Sequence, residues 1–235
     1  MKIKVGGKWL NSFLRTKLNG RWIDPKTGFI KVSGVWRKFY NDLYAAFENF
    51  EMGNIFTQGS LSVTRQASSK FAGTMGLKVV AGSAHQAKLS PSVLGDTESV
   101  YRYTAYVRPE ETESITSLSG LLICSSGGST IVDGYNIRLD PRNGLNSTSG
   151  FQIRSNADPT GVLAWTEVSV SYGTWYVIVV THNQKTGLIE ARLETTSGVV
   201  LAELSVTNTV NKGGLFGVMC YGEASFDEVR RYRVG

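Results

Sequence analysis

The chain has 235 residues, of which 41% are apolar and 19% charged, with 26 glycines and 5 prolines. That composition excludes wholesale disorder and a fibre repeat, and no apolar run is long enough to cross a bilayer. Two cysteines and two histidines exclude a disulfide-dense scaffold and a multi-cysteine or multi-histidine metal site. Of the two states left to Cys124 and Cys220, buried free thiols are preferred to a single bridge.

The net charge of +6 is unevenly spread. Residues 1–42 hold ten Lys/Arg against Asp24 and Asp42, a balance of +8 that leaves −2 for the rest, and they hold three of the five tryptophans. No apolar stretch follows the first lysines, so the start is read as carrying no secretory signal. The composition break places a boundary near Asn41-Asp42, dividing a segment 1–42 from a body 43–235.

The first segment is internally repetitive. Lys4 to Trp9, Lys17 to Trp22 and Lys31 to Trp36 share the form Lys-φ-x-Gly-x-Trp at spacings of 13 and 14. Gly-Gly, Asn-Gly and Ser-Gly between extended residues signal two-residue hairpin turns, because glycine accepts positive φ without steric penalty. Such turns set Lys4 opposite Trp9, Lys17 opposite Trp22 and Lys31 opposite Trp36, where a cation over an indole face adds about 0.5–1 kcal/mol. Single hairpins are marginal in water. Two readings stay open: a mini-sheet with its own tryptophan core, and an anchor that orders on another protein or on copies of itself. The anchor is preferred; nucleic acid ranks last, since the lysines belong to the hairpin pattern. The repeat resembles short Lys-φ-Gly-Gly-x-Trp segments of phage structural proteins.

From residue 43 period-2 alternation replaces helical periodicity. Val100–Arg108, Tyr135–Leu139, Phe151–Arg154 and Ile189–Glu194 alternate, and Trp175–Thr181 is almost wholly apolar and β-rich, as a central strand is. Four prolines and clusters of Gly, Ser, Asn and Asp separate these runs. Many short strands without helices predict an all-β jelly-roll sandwich behind the hairpin segment.

Four marks in order, Phe50-Glu51-Met52-Gly53-Asn54, Ala72–Val79, Gly173–Thr181 and Phe226–Arg230, resemble the concanavalin-like and laminin-G-like jelly rolls and the related carbohydrate-binding modules. The resemblance implies that fold over 47–235 and leaves the ligand open. It also implies a structural Ca²⁺ between the first and last strands, held by Glu51 and Asp227 with Glu48 nearby; Ca²⁺ takes about six to eight oxygens, so backbone carbonyls would supply most.

No catalytic constellation is expected. Glu190 and Glu194 have the spacing of paired glycosidase acids, but Arg192 between them reads as a charge ladder. His182 reads as a turn residue and His85 as a loop residue. If Tyr101, Tyr103, Ala105 and Val107 face inward, then Arg102, Tyr106 and Arg108 face outward. Asn136, Arg138 and Asp140 share a face by the same rule, as do Gln152 and Arg154. Were these strands neighbours, they would form one arginine-rich sheet face suited to carboxylated or phosphorylated glycans, with Trp165 in a loop to stack on a sugar. The other reading is a solvated face or subunit contact.

A lectin-like body without an export signal fits a virion protein, released by lysis. The expectation is a non-enzymatic tailed-phage structural protein, a capsid decoration or a tail-associated adhesion component. Residues 1–42 would attach it to other virion proteins, in many copies or as a homo-oligomer, and the sandwich would face a cell-surface polysaccharide. A bacterial carbohydrate-binding or adhesion module and a purely architectural decoration protein are the alternatives.

Overall fold

In a β-strand, successive side chains point to opposite faces, so the alternating runs of this sequence are strands with one buried and one exposed face. The computed structural model describes residues 2–5, 8–11, 16–18, 21–23, 29–32, 35–38, 42–47, 55–57, 61–72, 75–89, 95–111, 117–125, 133–142, 150–155 and 161–234; before residue 62 and over 82–89 only the backbone is described. The chain divides into two compact units, Met1–Leu43 and Tyr44–Gly235.

In the first unit β1 (Lys2–Val5) pairs with β2 (Lys8–Asn11), β3 (Thr16–Leu18) with β4 (Arg21–Ile23), and β5 (Phe29–Val32) with β6 (Val35–Lys38), all antiparallel. The registers set Lys4 opposite Trp9, Lys17 opposite Trp22 and Lys31 opposite Trp36. The joining turns and the anchor side chains lie outside the described residues, and so do the lysine–indole contacts.

Thirteen strands form the second sheet system. They are β7 (Asp42–Phe47), β8 (Ile55–Thr57), β9 (Leu61–Gln66), β10 (Gly76–Leu89), β11 (Val100–Glu110), β12 (Leu118–Ser125), β13 (Tyr135–Asp140), β14 (Gly150–Ser155), β15 (Val162–Thr166), β16 (Tyr176–Asn183), β17 (Leu188–Thr195), β18 (Val200–Thr207) and β19 (Leu215–Arg233). The order β15-β14-β13-β12-β19-β11-β16-β17-β18 runs through β19, and β10 pairs with the other edge of β19.

The 19-residue β19 is the spine. Its first part pairs with β12 from Leu215 to Tyr221 and its last part with β11 from Glu223 to Arg233. The change of partner falls at Gly222, which has φ +82° and where a Cβ would meet Ser117. A side chain is strained in that backbone region, so glycine is required at the bend. Strands that pass from one layer to the other at such a bend make the corner of a sandwich. One layer is β12–β15, the other β11 with β16–β18, and β15 meets β18 at the far edge.

The inner faces bury Tyr101, Tyr103 and Val107 from β11, Ile137 and Leu139 from β13, and Phe216, Val218 and Phe226 from β19 in one core cluster. The predicted inward and outward sides of β11 hold: Tyr101 to Val107 alternate buried, while Arg102 is exposed. Of the central strand expected over Trp175–Thr181, residues 176–181 lie in β16, between β11 and β17. Cys124 and Cys220 are both free and buried.

Three local expectations are corrected. His85 lies inside β10 opposite Cys220, because the polar stretch around it pairs with β19 instead of looping out. Trp165 lies on the edge strand β15, opposite Gln152. His182 is the seventh residue of β16, with its ring in the core.

Candidate functional site

The eight residues expected on one face occupy two. β11 has β16 and β19 as neighbours, whereas β13 and β14 sit beyond β12. Since the two layers share the core between them, their outward residues point to opposite sides of the sandwich. Arg102, Tyr106 and Arg108 are on one side; Asn136, Arg138, Gln152, Arg154 and Trp165 are on the other.

On the first side two transverse rows cross the layer. Arg102, Thr181, Glu190 and Ser205 are successive cross-strand neighbours, and so are Thr104, Val179, Arg192 and Glu203. All of them but Thr104 line an open cleft of about 450 Å³. Arg192 bonds Glu194 at 3.1 Å, the charge ladder expected of that strand. Arg102, Glu190 and Glu203 are exposed.

Farther along β11 the same side carries an aromatic ledge. Phe71, 40% exposed, stacks on Tyr106 at 4.2 Å between centroids, and Trp175 stands edge-on to Phe71 at 5.8 Å. The Arg108 guanidinium lies 5.0 Å from the centre of the Trp175 ring. Arg108 is itself fixed, donating to Glu110 at 2.7 Å, to the Ser68 carbonyl at 3.1 Å and to Ser225 Oγ at 3.2 Å.

The ledge has a buried anchor. Asp227 Oδ2 accepts the amides of Phe71 and Ala72 at 2.7 and 2.8 Å, and its Oδ1 accepts that of Glu228 at 2.8 Å. Charge-assisted bonds of this kind are about twice as strong as neutral ones, and these hold the 67–72 turn against β19. The resemblance implied Asp227 as a Ca²⁺ ligand. Ca²⁺ needs oxygens converging on it, and three N–H donors already converge on this carboxylate. Glu51 and Glu48, its expected partners, lie outside the described residues. Among the described residues no cluster of three His, Cys, Asp or Glu could hold a metal ion.

On the second side Arg138, Gln152 and Trp165 are successive cross-strand neighbours on β13, β14 and β15, and Asn136 stands opposite Arg154. Gln152 Oε1 accepts from Arg138 Nε at 3.1 Å. Trp165 is 46% exposed.

One constellation escaped the sequence reading because its members are far apart in the chain. Cys124 Sγ lies 3.2 Å from His182 Nδ1, and Gln184 Nε2 lies 3.2 Å from that sulfur and 3.0 Å from that nitrogen. A cysteine nucleophile needs a thiolate. Here burial pushes the thiol up to about 12 and the imidazole down to about 4, so the pair is neutral and sealed. Its chemistry is structural.

No protein-family model and no curated protein sequence matches the chain. Solved structures do match its fold. A carbohydrate-binding module from Bacillus subtilis aligns with a TM-score of 0.56 at 12% identity, covering 76% of this chain and 95% of that one. Peanut lectin aligns with a TM-score of 0.59 at 9% identity, covering 81% and 96%. Lectin II from Ulex europaeus aligns with a TM-score of 0.53 at 15% identity, covering 83% and 99%. Identities this low speak for the fold: the body is a lectin-like jelly roll.

Proposed function

We propose that the sandwich is a non-enzymatic glycan-binding domain and that the cleft face of β11 and β16–β18 is its binding surface. The observation that carries this reading is the continuity of ledge and cleft on one side of β11. Tyr106 and Arg102 are four residues apart on one strand, about 13 Å at a strand's rise, which suits an oligosaccharide lying along the strand. A sugar ring covers its apolar face on Phe71 and Tyr106, and its neighbours exchange hydroxyl hydrogen bonds with Arg102, Thr181, Glu190, Glu203 and Ser205. Each such bond is worth only about 0.5–1.5 kcal/mol net, so single contacts are weak and affinity comes from multiple copies.

Multiplicity fits the rest of the reading: a virion structural protein, a capsid decoration or tail-associated adhesion component, whose residues 1–42 dock on other virion proteins. The basic Lys-φ-x-Gly-x-Trp repeat supports an attachment role, and the lectin-like fold supports outward display toward a polysaccharide. The test is a glycan array probed with the full chain, with Phe71→Ala and with Trp175→Ala. Retention of an oligosaccharide by the native protein and its loss in both variants supports the reading. Retention unaffected by either change, or none on any glycan, refutes it and leaves an architectural protein.

A further inference from the structure

Among the described residues, the second side of the sandwich gathers more arginine than carboxylate. Among the described residues, three arginines, Arg138, Arg142 and Arg154, feel the one carboxylate of Asp140. That carboxylate is taken by Arg142, whose Nε and Nη2 donate to its two oxygens at 2.6 and 2.5 Å. Arg138 uses Nε to donate to Gln152 Oε1, a bond that aims the guanidinium while leaving its two terminal nitrogens. Arg154 makes no hydrogen bond or ion pair within the structure described.

Arg138 and Arg154 are diagonal neighbours across β13 and β14, since Arg138 faces Gln152 and Asn136 faces Arg154. Diagonal cross-strand positions are within reach of long side chains. Burial, with the charge of Arg154 added, holds the Arg138 guanidinium down at about 10. Two glycines shape the place. A Cβ on Gly120 would run into the backbone of β13 at Ile137 and Arg138, and a Cβ on Gly161 would come within 2.5 Å of Arg154 Nη2. One lets β12 approach beneath Arg138, and the other leaves room for the Arg154 head.

Two guanidinium forks side by side, half-buried and sharing with Arg142 the one carboxylate of Asp140 among the described residues, present planar donor pairs matched to a carboxylate or phosphate. Trp165 continues the same row beyond Gln152 with its ring half-exposed, and an indole offers a plane on which a pyranose can lie. We propose that Arg138 and Arg154 form a site for an anionic sugar, a pyranose bearing a carboxylate or phosphate, with the acidic group in the two forks and the ring against Trp165. This site is on the opposite side from the cleft, so either reading can fail while the other stands.

The test uses the full chain labelled with ¹⁵N, with the Trp165 indole resonance assigned through Trp165→Phe. It is titrated at low salt with a glucuronic-acid tetrasaccharide, a neutral glucose tetrasaccharide and inorganic phosphate. The acidic tetrasaccharide or phosphate is expected to move the Trp165 resonance where the neutral sugar does not. A response to the tetrasaccharide assigns a carboxylated ligand, and a response to phosphate alone a phosphorylated one. Arg138→Gln and Arg154→Gln should each weaken the response about tenfold or more, as loss of a charge-assisted pair does. Arg154→Lys, which keeps the charge and loses the fork, should fall between, and Lys185→Gln, an exposed charge outside both surfaces, should match the native protein. Equal response to neutral and acidic sugars, no response to either anion, or binding unchanged in both glutamine variants overturns the proposal.

Discussion

Acidification from pH 7.5 to 4.5 should destabilise the sandwich through a single imidazole. His182 is 0% exposed, and its Nε2 has no hydrogen-bond partner within the structure described. Its Nδ1 faces Gln184 and Cys124, and the Tyr135 ring packs against it at 5.5 Å. Burial, with the charge of Lys212 added, lowers its pKa from 6.5 to about 4. Between those values the unfolded chain takes a proton that the folded chain refuses, so stability falls as pH falls and is whole again above 6.5. One pKa unit is worth about 1.4 kcal/mol, so the loss at pH 4.5 is roughly 2.5 kcal/mol. Urea unfolding followed by tryptophan fluorescence at the two pH values, on the native chain and on His182→Gln, isolates the effect, because carboxylates common to both proteins cancel. Asp96 titrates below this window: burial would raise its pKa, but hydrogen bonds from Ser99, Glu98 and Tyr101 lower it to about 2. The native protein should lose about 2.5 kcal/mol more than the variant. Equal losses would refute the idea that the core keeps this imidazole neutral.

Other outcomes follow from the packing. Arg231 is buried with its guanidinium 5.1 Å from the Tyr101 and Phe216 ring centres and donates to the Gly214 carbonyl at 3.3 Å; Arg231→Ala leaves a cavity between those rings, and chemical denaturation should show a loss of about 3 kcal/mol. Gly120→Ala drives a methyl into the β13 backbone, with Arg138 Cα only 2.6 Å away, and should cost about 1–3 kcal/mol in the same assay. Asp227→Ala takes the carboxylate acceptor from three amide N–H donors and should cost about 1.5–3 kcal/mol, and hydrogen-exchange protection should fall first at the Phe71 and Ala72 amides. Because Asp227 serves those amides, millimolar calcium or a chelator should leave the native melting temperature unchanged; a rise with calcium would restore the metal reading.

Period-2 alternation made the all-β class and the polarity of each strand readable from neighbouring residues alone. Tyr101, Tyr103, Ala105 and Val107 had to share a face because a strand's side chains alternate, whatever the strand pairs with. The same local logic recognised Trp175–Thr181 as central, since a strand covered on both faces has no polar side to show. Adjacency is a different kind of information. Whether Arg102 and Arg138 share a surface depends on which strands lie side by side, and β19, by changing partner at Gly222, places them on opposite sides. The Cys124–His182 contact joins residues 58 apart, and the hold of Asp227 on Phe71 joins residues 156 apart. No local period encodes contacts of that span, because they arise only when two layers close over one core. The amino-acid order therefore set the strands, their buried faces and the basic repeat, each a short-range consequence of backbone geometry and charge. Long-range pairing assembled the cleft, the ledge and the paired arginines, because each needs side chains from strands that meet only in the folded sandwich.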